Sequence, residues 1–374
     1  MILIVLGTRA ELIKMAPVMK ELNARKMKYF FLHTGQHGIN DLAKELGVRK
    51  PDLVLSKPSS VRGGFGVSKL KALVWGAKIF FKTRKAIKRI RPKMVLVHGD
   101  TMSTALASFA AKSLLARPLL AHVEAGLRSG DLQEPFPEEI SRRVADFFSD
   151  YWFAPTELAR ENLLREGKKK ERVFVTGNTS MDLLHEKVGE AASSREKIPR
   201  KPFLYAQLHR QENIKSRERL QAFCHVLLNA PCKVVLVLVE NTRAQMEKFG
   251  LLKPITSSPR IIVKPALPYT DFLKVFSNAA CVLTDGGGEI EEACALQIPC
   301  IVFRVASERQ EAEKAGCALR TGCNPVKALD AIEDALAKRG VFKKISSAKN
   351  PFGSGDAGKK IVGCIEEITG GIIR

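Results

Sequence analysis

Three carboxylate side chains in the first half of the chain follow apolar runs or a shaped loop. Asp100 comes after MVLVHG, Glu124 comes after LLAHV, and Glu138 comes after the proline-containing loop EPFP. Carboxylates that share a pocket can titrate differently, so that one of them serves in proton transfer near neutral pH. These residues indicate general acid–base chemistry, although Asp100 would serve equally well as a helix N-cap and Glu138 as a first-turn helix acid.

A second group of residues combines three glycines with a histidine and an arginine. The run CVLTD leads into Gly286, Gly287 and Gly288, and the helical pattern EIEEA follows. Bare backbone N–H groups at a helix N terminus form a cradle for phosphate. His209 and Arg210 follow another apolar run, FLYAQL, so the same sheet edge would receive an imidazole and a guanidinium. A phosphate-binding site is therefore predicted in the second half of the chain.

The first apolar run, MILIVLG, also ends at a glycine. Arg9 and Lys14 follow it in a helical pattern, where their charges would suit a pyrophosphate. A single glycine after a strand is equally compatible with a plain strand–helix turn. The chain contains no G-x-x-x-x-G-K-[ST] or G-x-S-x-G motif, and its glycines depart from G-x-G-x-x-G. These features disfavour P-loop ATP hydrolysis, serine-hydrolase chemistry and an ordinary NAD site.

Apolar runs of four to seven residues alternate with helical patterns, and this alternation must position the groups above. The pattern predicts helices such as Glu11–Arg25 and Thr101–Ala116, separated by buried parallel strands. A polar stretch at Glu186–Lys201 interrupts the alternation and is predicted to contain a linker. We therefore predict an α/β fold with two doubly wound domains, residues 1–190 and 200–352. Their ligand is expected in the cleft between them, outside the carboxyl ends of the strands.

The chain carries an excess of positive charge. Its 374 residues include 61 Lys and Arg against 39 Asp and Glu, for a net charge of +22. Much of the excess lies in Lys78–Lys93 and Arg165–Arg172. The first stretch is predicted to be an amphipathic helix with a solvated basic face, with contact to an anionic membrane surface or nucleic acid as alternatives. The first apolar run is too short for a signal peptide, so a cytoplasmic protein with reduced cysteines is expected.

Motifs along nearly the whole chain, from Gly7 to Gly355, resemble those of the non-hydrolysing UDP-N-acetylglucosamine 2-epimerases. They include GTR, VHGDT, HVEAGLR, PFPEE, FAPTE and NPFGSG, of which HVEAGLR with PEE is the most specific. The resemblance implies a GT-B fold of two Rossmann-like domains, with a C-terminal helix within residues 353–374 that crosses back to the first domain. It also implies a homodimer that uses no metal and no redox cofactor.

The resemblance further implies a reaction and a set of roles. The family interconverts UDP-GlcNAc and UDP-ManNAc by eliminating UDP to a bound 2-acetamidoglucal and adding it back with the proton on the other face of C2. This route avoids simple deprotonation at C2, where the proton is not acidic. Matched by position, Asp100, Glu124 and Glu138 correspond to the acid–base carboxylates and His209 to the contact with the departing phosphate. The substrate-binding positions are Arg9, Lys14, Arg210, Phe272 against uracil, Gly286, Gly287 and Gly288 in the phosphate loop, Glu292 on the ribose and Arg309 on the diphosphate.

This chain departs from the family pattern in its phosphate loop. The loop usually reads D-S-G-G, and Gly286 replaces the serine, which removes a hydroxyl donor to phosphate. All three acid–base carboxylates are present. Two related activities remain alternatives: a hydrolysing 2-epimerase that releases ManNAc and UDP, and a GT-B glycosyltransferase. A nucleic-acid-binding protein, suggested by the charge alone, is a third.

Overall fold

Two compact units make up the chain. Unit 1 comprises Met1–Leu183 and Phe352–Arg374, and unit 2 comprises Leu184–Pro351. The computed structural model describes residues 1–36, 38–56, 69–131 and 134–370, with the side chains of all of these except 69–72. Each unit contains its own parallel β-sheet, and the prediction of two doubly wound α/β domains is confirmed.

Unit 1 contains seven parallel strands connected by helices. In chain order its first elements are β1 (Ile2–Leu6), α1 (Arg9–Ala24), β2 (Tyr29–His33), α2 (Asn40–Glu45), β3 (Leu53–Val54), α3 (Lys69–Ile90), β4 (Met94–His98), α4 (Met102–Lys112), β5 (Leu119–Val123), α5 (Glu138–Phe148), β6 (Tyr151–Ala154), α6 (Glu157–Arg165), a 3₁₀ turn (Lys170–Arg172), β7 (Val173–Val175) and the first residues of α7 (Thr179–Ala191), a helix that continues into unit 2. The strand order is β3-β2-β1-β4-β5-β6-β7. The order in which strands are added therefore reverses between β1 and β4: β2 and β3 lie on one side of β1, and β4 to β7 lie on the other. Ligands of such sheets bind at this point.

Strand register brings the predicted acids of unit 1 to one edge of the sheet. His98 at the end of β4 lies opposite Val123 at the end of β5. Asp100 and Glu124 consequently follow the ends of adjacent strands. The strands β1 and β4 are completely buried, because their Ile, Leu, Val and Met side chains pack on both faces of the sheet.

Unit 2 repeats this architecture with six strands. Its elements are β8 (Phe203–Gln207), α8 (Gln211–Ile214), α9 (Arg217–Asn229), β9 (Lys233–Val237), α10 (Glu240–Lys248), α11 (Leu252–Thr256), β10 (Ile261–Lys264), α12 (Tyr269–Phe276), β11 (Cys281–Thr284), α13 (Gly287–Ala295), β12 (Cys300–Val302), α14 (Gln310–Lys314), β13 (Ala318–Arg320), α15 (Pro325–Leu336) and a 3₁₀ segment (Gly340–Ser347). The strand order is β10-β9-β8-β11-β12-β13. Here the order in which strands are added reverses between β8 and β11, which pair in parallel with Gln207 opposite Thr284.

The last helix, α16 (Ala357–Ile368), belongs to unit 1 and packs against α1. Arg25 at the end of α1 pairs with Glu366, at 2.6 Å between Nη1 and Oε2. Gly358 approaches α1 so closely that a Cβ there would lie 3.0 Å from the carbonyl oxygen of Pro17. The start of α16 is fixed by Asp182, which accepts a backbone hydrogen bond from Gly358 at 2.9 Å.

Helix bounds differ from the sequence predictions where caps decide them. The first helix, predicted from Glu11, begins at Arg9 because Thr8 caps it and Glu11 completes a capping box. The helix predicted over Thr101–Ala116 ends at Lys112. Within the described residues, no helix is long and apolar enough to cross a membrane.

Candidate active site

Glu124 stands directly after β5 with a backbone φ of 65°. Non-glycine residues rarely adopt this left-handed conformation, which costs about 1–3 kcal/mol and persists only where the surroundings hold it. The residue is 9% exposed. Its Oε1 lies 2.5 Å from Lys14 Nζ and accepts a hydrogen bond from Asn178 Nδ2 at 3.1 Å. A strained and nearly buried carboxylate held by a cation and an amide is a strong candidate for a functional group.

His98 faces the other oxygen of Glu124. Its Nε2 lies 3.5 Å from Glu124 Oε2, and the ring is buried. Burial is the main reason why the pKa of His98 falls to about 4; Lys14 lowers it as well, whereas Glu124 raises it. His98 is therefore uncharged at neutral pH, and Lys14 is the cation that balances Glu124.

Asp100 lies in the turn after β4 and is held by a buried arginine. Arg142 Nη2 on α5 donates a hydrogen bond to Asp100 Oδ2. The arginine side chain is 2% exposed, whereas that of Asp100 is 33% exposed. The buried guanidinium thus fixes the position of an acid that a ligand can still reach.

Glu138 is the first residue of α5, as predicted, and it is half-buried. It lies one turn before Arg142, so the two residues share a helix face. The next residue, Glu139, is completely buried and accepts hydrogen bonds from Ser129 N at 3.1 Å and from Arg143 Nε at 2.9 Å. Glu139 therefore anchors the preceding loop, whereas Glu138 lies on the face of α5 that leads to Asp100.

The two predicted basic residues of α1 have different surroundings. Lys14 is largely buried in its ion pair with Glu124. Arg9 is exposed at the start of the helix, where its Nη1 donates to the carbonyl oxygen of Gly38 at 3.2 Å. The structure therefore pairs Lys14 with Glu124, whereas Arg9 lies on the surface at the N terminus of α1.

The turn between β1 and α1 is built around buried Glu11. Its carboxyl group accepts hydrogen bonds from the backbone of Gly7 at 2.8 Å and from the hydroxyl groups of Thr8 at 2.9 Å and Thr101 at 2.8 Å. Burial raises the pKa of Glu11, while these hydrogen bonds lower it. Because Thr101 caps α4, Glu11 ties the first turn of the sheet to the turn that carries Asp100.

Arg142, Asn178 and His122 are not among the residues predicted from the sequence. His122 on β5 lies 2.7 Å from Asp146 through Nδ1 and 2.8 Å from the carbonyl oxygen of Gly99 through Nε2. The ring therefore joins α5 to the turn that precedes Asp100. The four-residue spacing from Glu138 was the local signal for Arg142, and His122 opens the HVEAGLR motif, whereas the contact of Asn178 joins distant parts of the chain.

In unit 2, buried Asp285 connects the turn after β8 with the turn after β11. Its carboxylate accepts hydrogen bonds from the backbone of His209 at 3.0 Å, from the backbone of Arg210 at 2.9 Å and from Asn213 Nδ2 at 3.0 Å. The His209 side chain remains 38% exposed, with Nδ1 3.3 Å from Asp285. Burial lowers the pKa of His209, which Asp285 raises and Arg210 lowers. Asp285 thus places both predicted residues beside the glycines.

The three glycines form the turn that opens α13, with Gly286 as its N-cap. A Cβ on Gly286 would lie 2.5 Å from Glu289 Oε2 and 2.9 Å from His209 Cε1. A Cβ on Gly288, by contrast, would meet no described atom within 4 Å. Open space therefore borders the first turn of α13 at Gly288, close to the helix N terminus, where anions bind favourably.

Two arginines flank this glycine turn. Arg309 Nε pairs with Glu291, and its Cζ would lie 3.6 Å from a Cβ on Gly287. Arg210 Nη2 donates to Glu308 Oε1 at 3.1 Å. Both guanidinium groups are thus oriented by buried acids next to the turn, and guanidinium is well suited to a diphosphate.

Tyr269 connects the two residues that are predicted to contact the uracil and the ribose. Phe272 on α12 stacks on Tyr269, with ring centroids 5.8 Å apart. The Tyr269 hydroxyl donates to Glu292 Oε1 at 2.8 Å, and Glu292 is buried. Burial, reinforced by Glu292, raises the pKa of Tyr269, so this hydroxyl is a donor at neutral pH. Tyr269 is a further residue that was not predicted from the sequence.

The predicted residues therefore form two groups. Unit 1 holds Arg9, Lys14, Asp100, Glu124 and Glu138, and unit 2 holds His209, Arg210, Phe272, Gly286, Gly287, Gly288, Glu292 and Arg309. Each group lies where the strand order of its sheet reverses. The first group is suited to acid–base chemistry and the second to binding a nucleotide diphosphate.

Comparisons with known proteins identify the family to which the chain belongs. The family model for UDP-N-acetylglucosamine 2-epimerase matches residues 20–366. A UDP-N-acetylglucosamine 2-epimerase of Methanocaldococcus jannaschii is 33% identical over 374 aligned residues, which cover 96% of this chain and 97% of the relative.

Solved structures lead to the same family. The structure of the Methanocaldococcus jannaschii UDP-GlcNAc 2-epimerase in complex with UDP-GlcNAc and UDP matches with a TM-score of 0.86 and 31% identity, covering 98% of this chain and 99% of that one. The Neisseria meningitidis UDP-GlcNAc 2-epimerase bound to UDP-GlcNAc matches with a TM-score of 0.81 and 27% identity, covering 98% and 99%. The predicted GT-B fold is thereby confirmed, and the chain belongs to the UDP-N-acetylglucosamine 2-epimerase family.

Proposed function

We propose that this protein interconverts UDP-GlcNAc and UDP-ManNAc by eliminating UDP and adding it back. The observation that carries the proposal is the strained, nearly buried carboxylate of Glu124, held by Lys14 and Asn178 at a strand end next to that of Asp100. Related proteins bind UDP-GlcNAc and UDP. A cytoplasmic location would suit such a substrate.

The reaction requires at least two acid–base groups. In the elimination, a base removes the C2 proton, the C1–O bond to UDP breaks, and a C1=C2 double bond forms in 2-acetamidoglucal. In the addition, the phosphate oxygen returns to C1 while an acid protonates C2 from the opposite face, so that protons and electrons balance. We assign this proton transfer to Asp100, Glu124 and Glu138, which supply more than one acid at the edge of one sheet.

The groups of unit 2 are assigned to the UDP. A departing diphosphate gains negative charge, and N–H groups oriented in advance stabilise it without reorganisation. The glycine turn and the two arginines supply such donors, and His209 is assigned to the phosphate that leaves. The remaining assignments follow the same order along the nucleotide: Glu292 to the ribose and Phe272 to the uracil.

Incubation of the protein with UDP-GlcNAc in D₂O, followed by NMR, tests this proposal. UDP-ManNAc should appear with deuterium at C2, because the proton that returns comes from the solvent. Asp100→Asn should abolish both signals while UDP still binds. Absence of product and exchange in the wild-type protein would contradict the proposal.

The same experiment separates the alternatives. Free ManNAc together with UDP would identify a hydrolysing enzyme, in which water rather than UDP ends the reaction. A product that forms only when an acceptor sugar is added would identify a glycosyltransferase.

We further propose that a helical face of unit 1 forms a homodimer. The aromatic rings of Phe80, Phe109 and Phe148 stack across α3, α4 and α5 at centroid distances of 4.9 and 5.4 Å. Next to them Phe81 is 65% exposed and Phe147 is 70% exposed. An apolar surface that extends over three helices is typical of a protein interface. A second copy of the chain is the occupant that we infer, because the face would pair with itself about a two-fold axis.

Sedimentation at several concentrations tests the dimer. Phe81→Glu should shift the protein to monomer because it buries an unpaired charge in the contact. Val326→Glu on α15, a position that is also 63% exposed, is the matched control and should remain dimeric. A monomeric wild type that floats with anionic lipid vesicles would instead identify Lys78–Lys93 as part of a membrane-binding surface.

A further inference from the structure

The first turn of α13 carries a buried carboxyl group that the assignments above do not use. Glu289 is 8% exposed, and its Oε2 accepts a hydrogen bond from the Thr284 hydroxyl. The same hydroxyl accepts a hydrogen bond from the backbone of Gly286 at 2.9 Å. The other oxygen, Oε1, lies 3.1 Å from the Tyr205 hydroxyl. Glu289 is thus tied to β8, to β11 and to the glycine turn itself.

The carboxyl group of Glu289 fills the space that a side chain at position 286 would need. A Cβ on Gly286 would lie 2.5 Å from Glu289 Oε2 and 2.9 Å from His209 Cε1. The oxygen of Glu289 therefore stands beside the imidazole assigned to the leaving phosphate. A polar group at this point replaces the hydroxyl group that Gly286 lacks.

We propose that Glu289 is an additional phosphate-binding residue, which donates an O–H hydrogen bond to the diphosphate from the place of a residue-286 side chain. This proposal rests on the proposed function, because it requires UDP at the glycine turn. A carboxylic acid that donates at this site contributes a hydrogen bond without adding negative charge next to an anion. A carboxylate at the same place would instead repel the diphosphate.

The electrostatic surroundings favour the acid form of Glu289. Burial is the main reason why the pKa of Glu289 rises to about 8. The Thr284 and Tyr205 hydrogen bonds lower this pKa, whereas the nearby carboxyl groups of Glu292 and Asp285 raise it. Glu289 therefore carries its proton at neutral pH and loses it as the solution becomes mildly basic.

Three other titratable groups face Glu289 from neighbouring elements. Burial raises the pKa of Tyr205 on β8 and of Cys300 on β12 well above their ordinary values. Burial lowers the pKa of His209, which is thus uncharged above pH 7. Changes in nucleotide binding between pH 7 and pH 8.5 are therefore attributed to Glu289.

The test is the Kd of UDP, measured by calorimetry at pH 7 and pH 8.5 at constant ionic strength, below the pH at which the uracil ring of UDP loses its N3 proton. The phosphates of UDP are already ionised in this range, since their last pKa is about 6. The wild-type Kd should rise by up to about fourfold, because a pKa near 8 leaves about a quarter of Glu289 protonated at pH 8.5. Glu289→Gln, whose amide donates a hydrogen bond at any pH, should give the same Kd at both pH values. Glu247→Gln on α10 is the matched control and should keep the wild-type slope.

A second pair of variants tests the position. Glu289→Leu removes the donor and should weaken UDP binding by about tenfold at pH 7, the loss expected for one such hydrogen bond. Gly286→Ser alone should also weaken binding, because its Cβ would collide with the Glu289 carboxyl group. The double variant Glu289→Leu/Gly286→Ser should recover part of the affinity, because the shorter of the two close contacts is removed, the partly exposed His209 ring can move aside, and the serine supplies a hydroxyl group. Circular dichroism of each variant establishes that it is folded.

The outcomes are distinguishable. A wild-type protein that binds UDP equally at both pH values, or a Glu289→Gln variant that keeps the slope, would overturn the role of Glu289 and leave the proposed function standing. A wild-type protein that does not bind UDP at pH 7 would overturn both.

Discussion

The two groups of candidate site residues, one in each unit, occupy the same place in two similar sheets, yet their charges are arranged in opposite ways. In unit 1 the exposed or strained groups are acids, and cations hold them: Lys14 holds Glu124 and Arg142 holds Asp100. In unit 2 acids hold the groups that face a ligand, as Asp285 does for the backbone of His209. The fold therefore supplies the location, and the sign of the supporting charge decides whether the residues there are suited to proton transfer or to anion binding.

Substitution at the acids of unit 1 should have the largest effect on catalysis. Glu124→Gln should lower kcat by about a thousandfold, within the range for loss of an acid–base group. Its amide keeps the size of the side chain, so the Kd of UDP should change by less than about threefold, as for a group that does not bind the nucleotide. Steady-state kinetics and calorimetry measure both quantities.

Glu161→Gln on α6, at an exposed position, is the control for this substitution and should keep wild-type kcat. If Glu124→Gln instead lost UDP affinity and retained kcat, the contrast between the two units would be wrong.

The sequence predicted the position of these acids better than their environment. Asp100 and Glu124 could be placed at one sheet edge because apolar runs identify parallel strands, whose ends carry ligand groups. The contact of Asn178 with Glu124 joins residues 54 positions apart and has no local signal. The left-handed backbone of Glu124 was equally invisible, because a sequence pattern gives no φ for a single residue.

The same limit applies in unit 2. Three consecutive glycines predicted a phosphate turn, and the structure places them at the N-cap and in the first turn of α13. The position of Glu289 is that of an ordinary first-turn acid, because such residues favour helix N termini. Its burial beside Tyr205 depends on the pairing of β8 with β11, which brings together residues 84 positions apart.

The supporting acid of unit 2 should matter most for stability. Asp285→Ala would leave the backbone N–H groups of His209 and Arg210 without their acceptor, at a cost of about 2–4 kcal/mol for two buried donors. The free energy of unfolding in urea should fall by this amount, and UDP binding should weaken. Asp330→Ala on α15, at an exposed position, should change the free energy by less than about 0.5 kcal/mol. Equal effects of the two substitutions would show that Asp285 does not hold the turn.

Acidic pH should lower the free energy of unfolding because His98 in unit 1 becomes protonated. Its pKa is about 4 in the folded protein and about 6.5 in the unfolded chain. The unfolded state thus binds the proton first, so the stability contribution is complete above pH 6.5 and declines as the pH falls towards 4. At pH 5 the loss should be about 2 kcal/mol. The free energy of unfolding in urea, measured at pH 7 and pH 5, should fall less for His98→Asn than for the wild type. An equal fall in both proteins would show that His98 is not its cause.

The smallest effect concerns the open space beside Gly288, where stability and binding should change in opposite directions. Alanine is favoured over glycine in a helix by up to about 1 kcal/mol, so Gly288→Ala should stabilise the protein slightly. The added methyl group occupies the space into which the diphosphate must come to reach the backbone N–H groups, and the Kd of UDP should therefore rise by about tenfold, the loss of about one hydrogen bond.

Gly189→Ala on α7, where a Cβ also meets no described atom within 4 Å, is the matched control. It should bring a similar gain in stability with no change in UDP binding, because only the space at Gly288 belongs to a phosphate site. Tight UDP binding by Gly288→Ala would mean that the anion is held by side chains alone, and the backbone of the glycine turn would then not be part of the binding site.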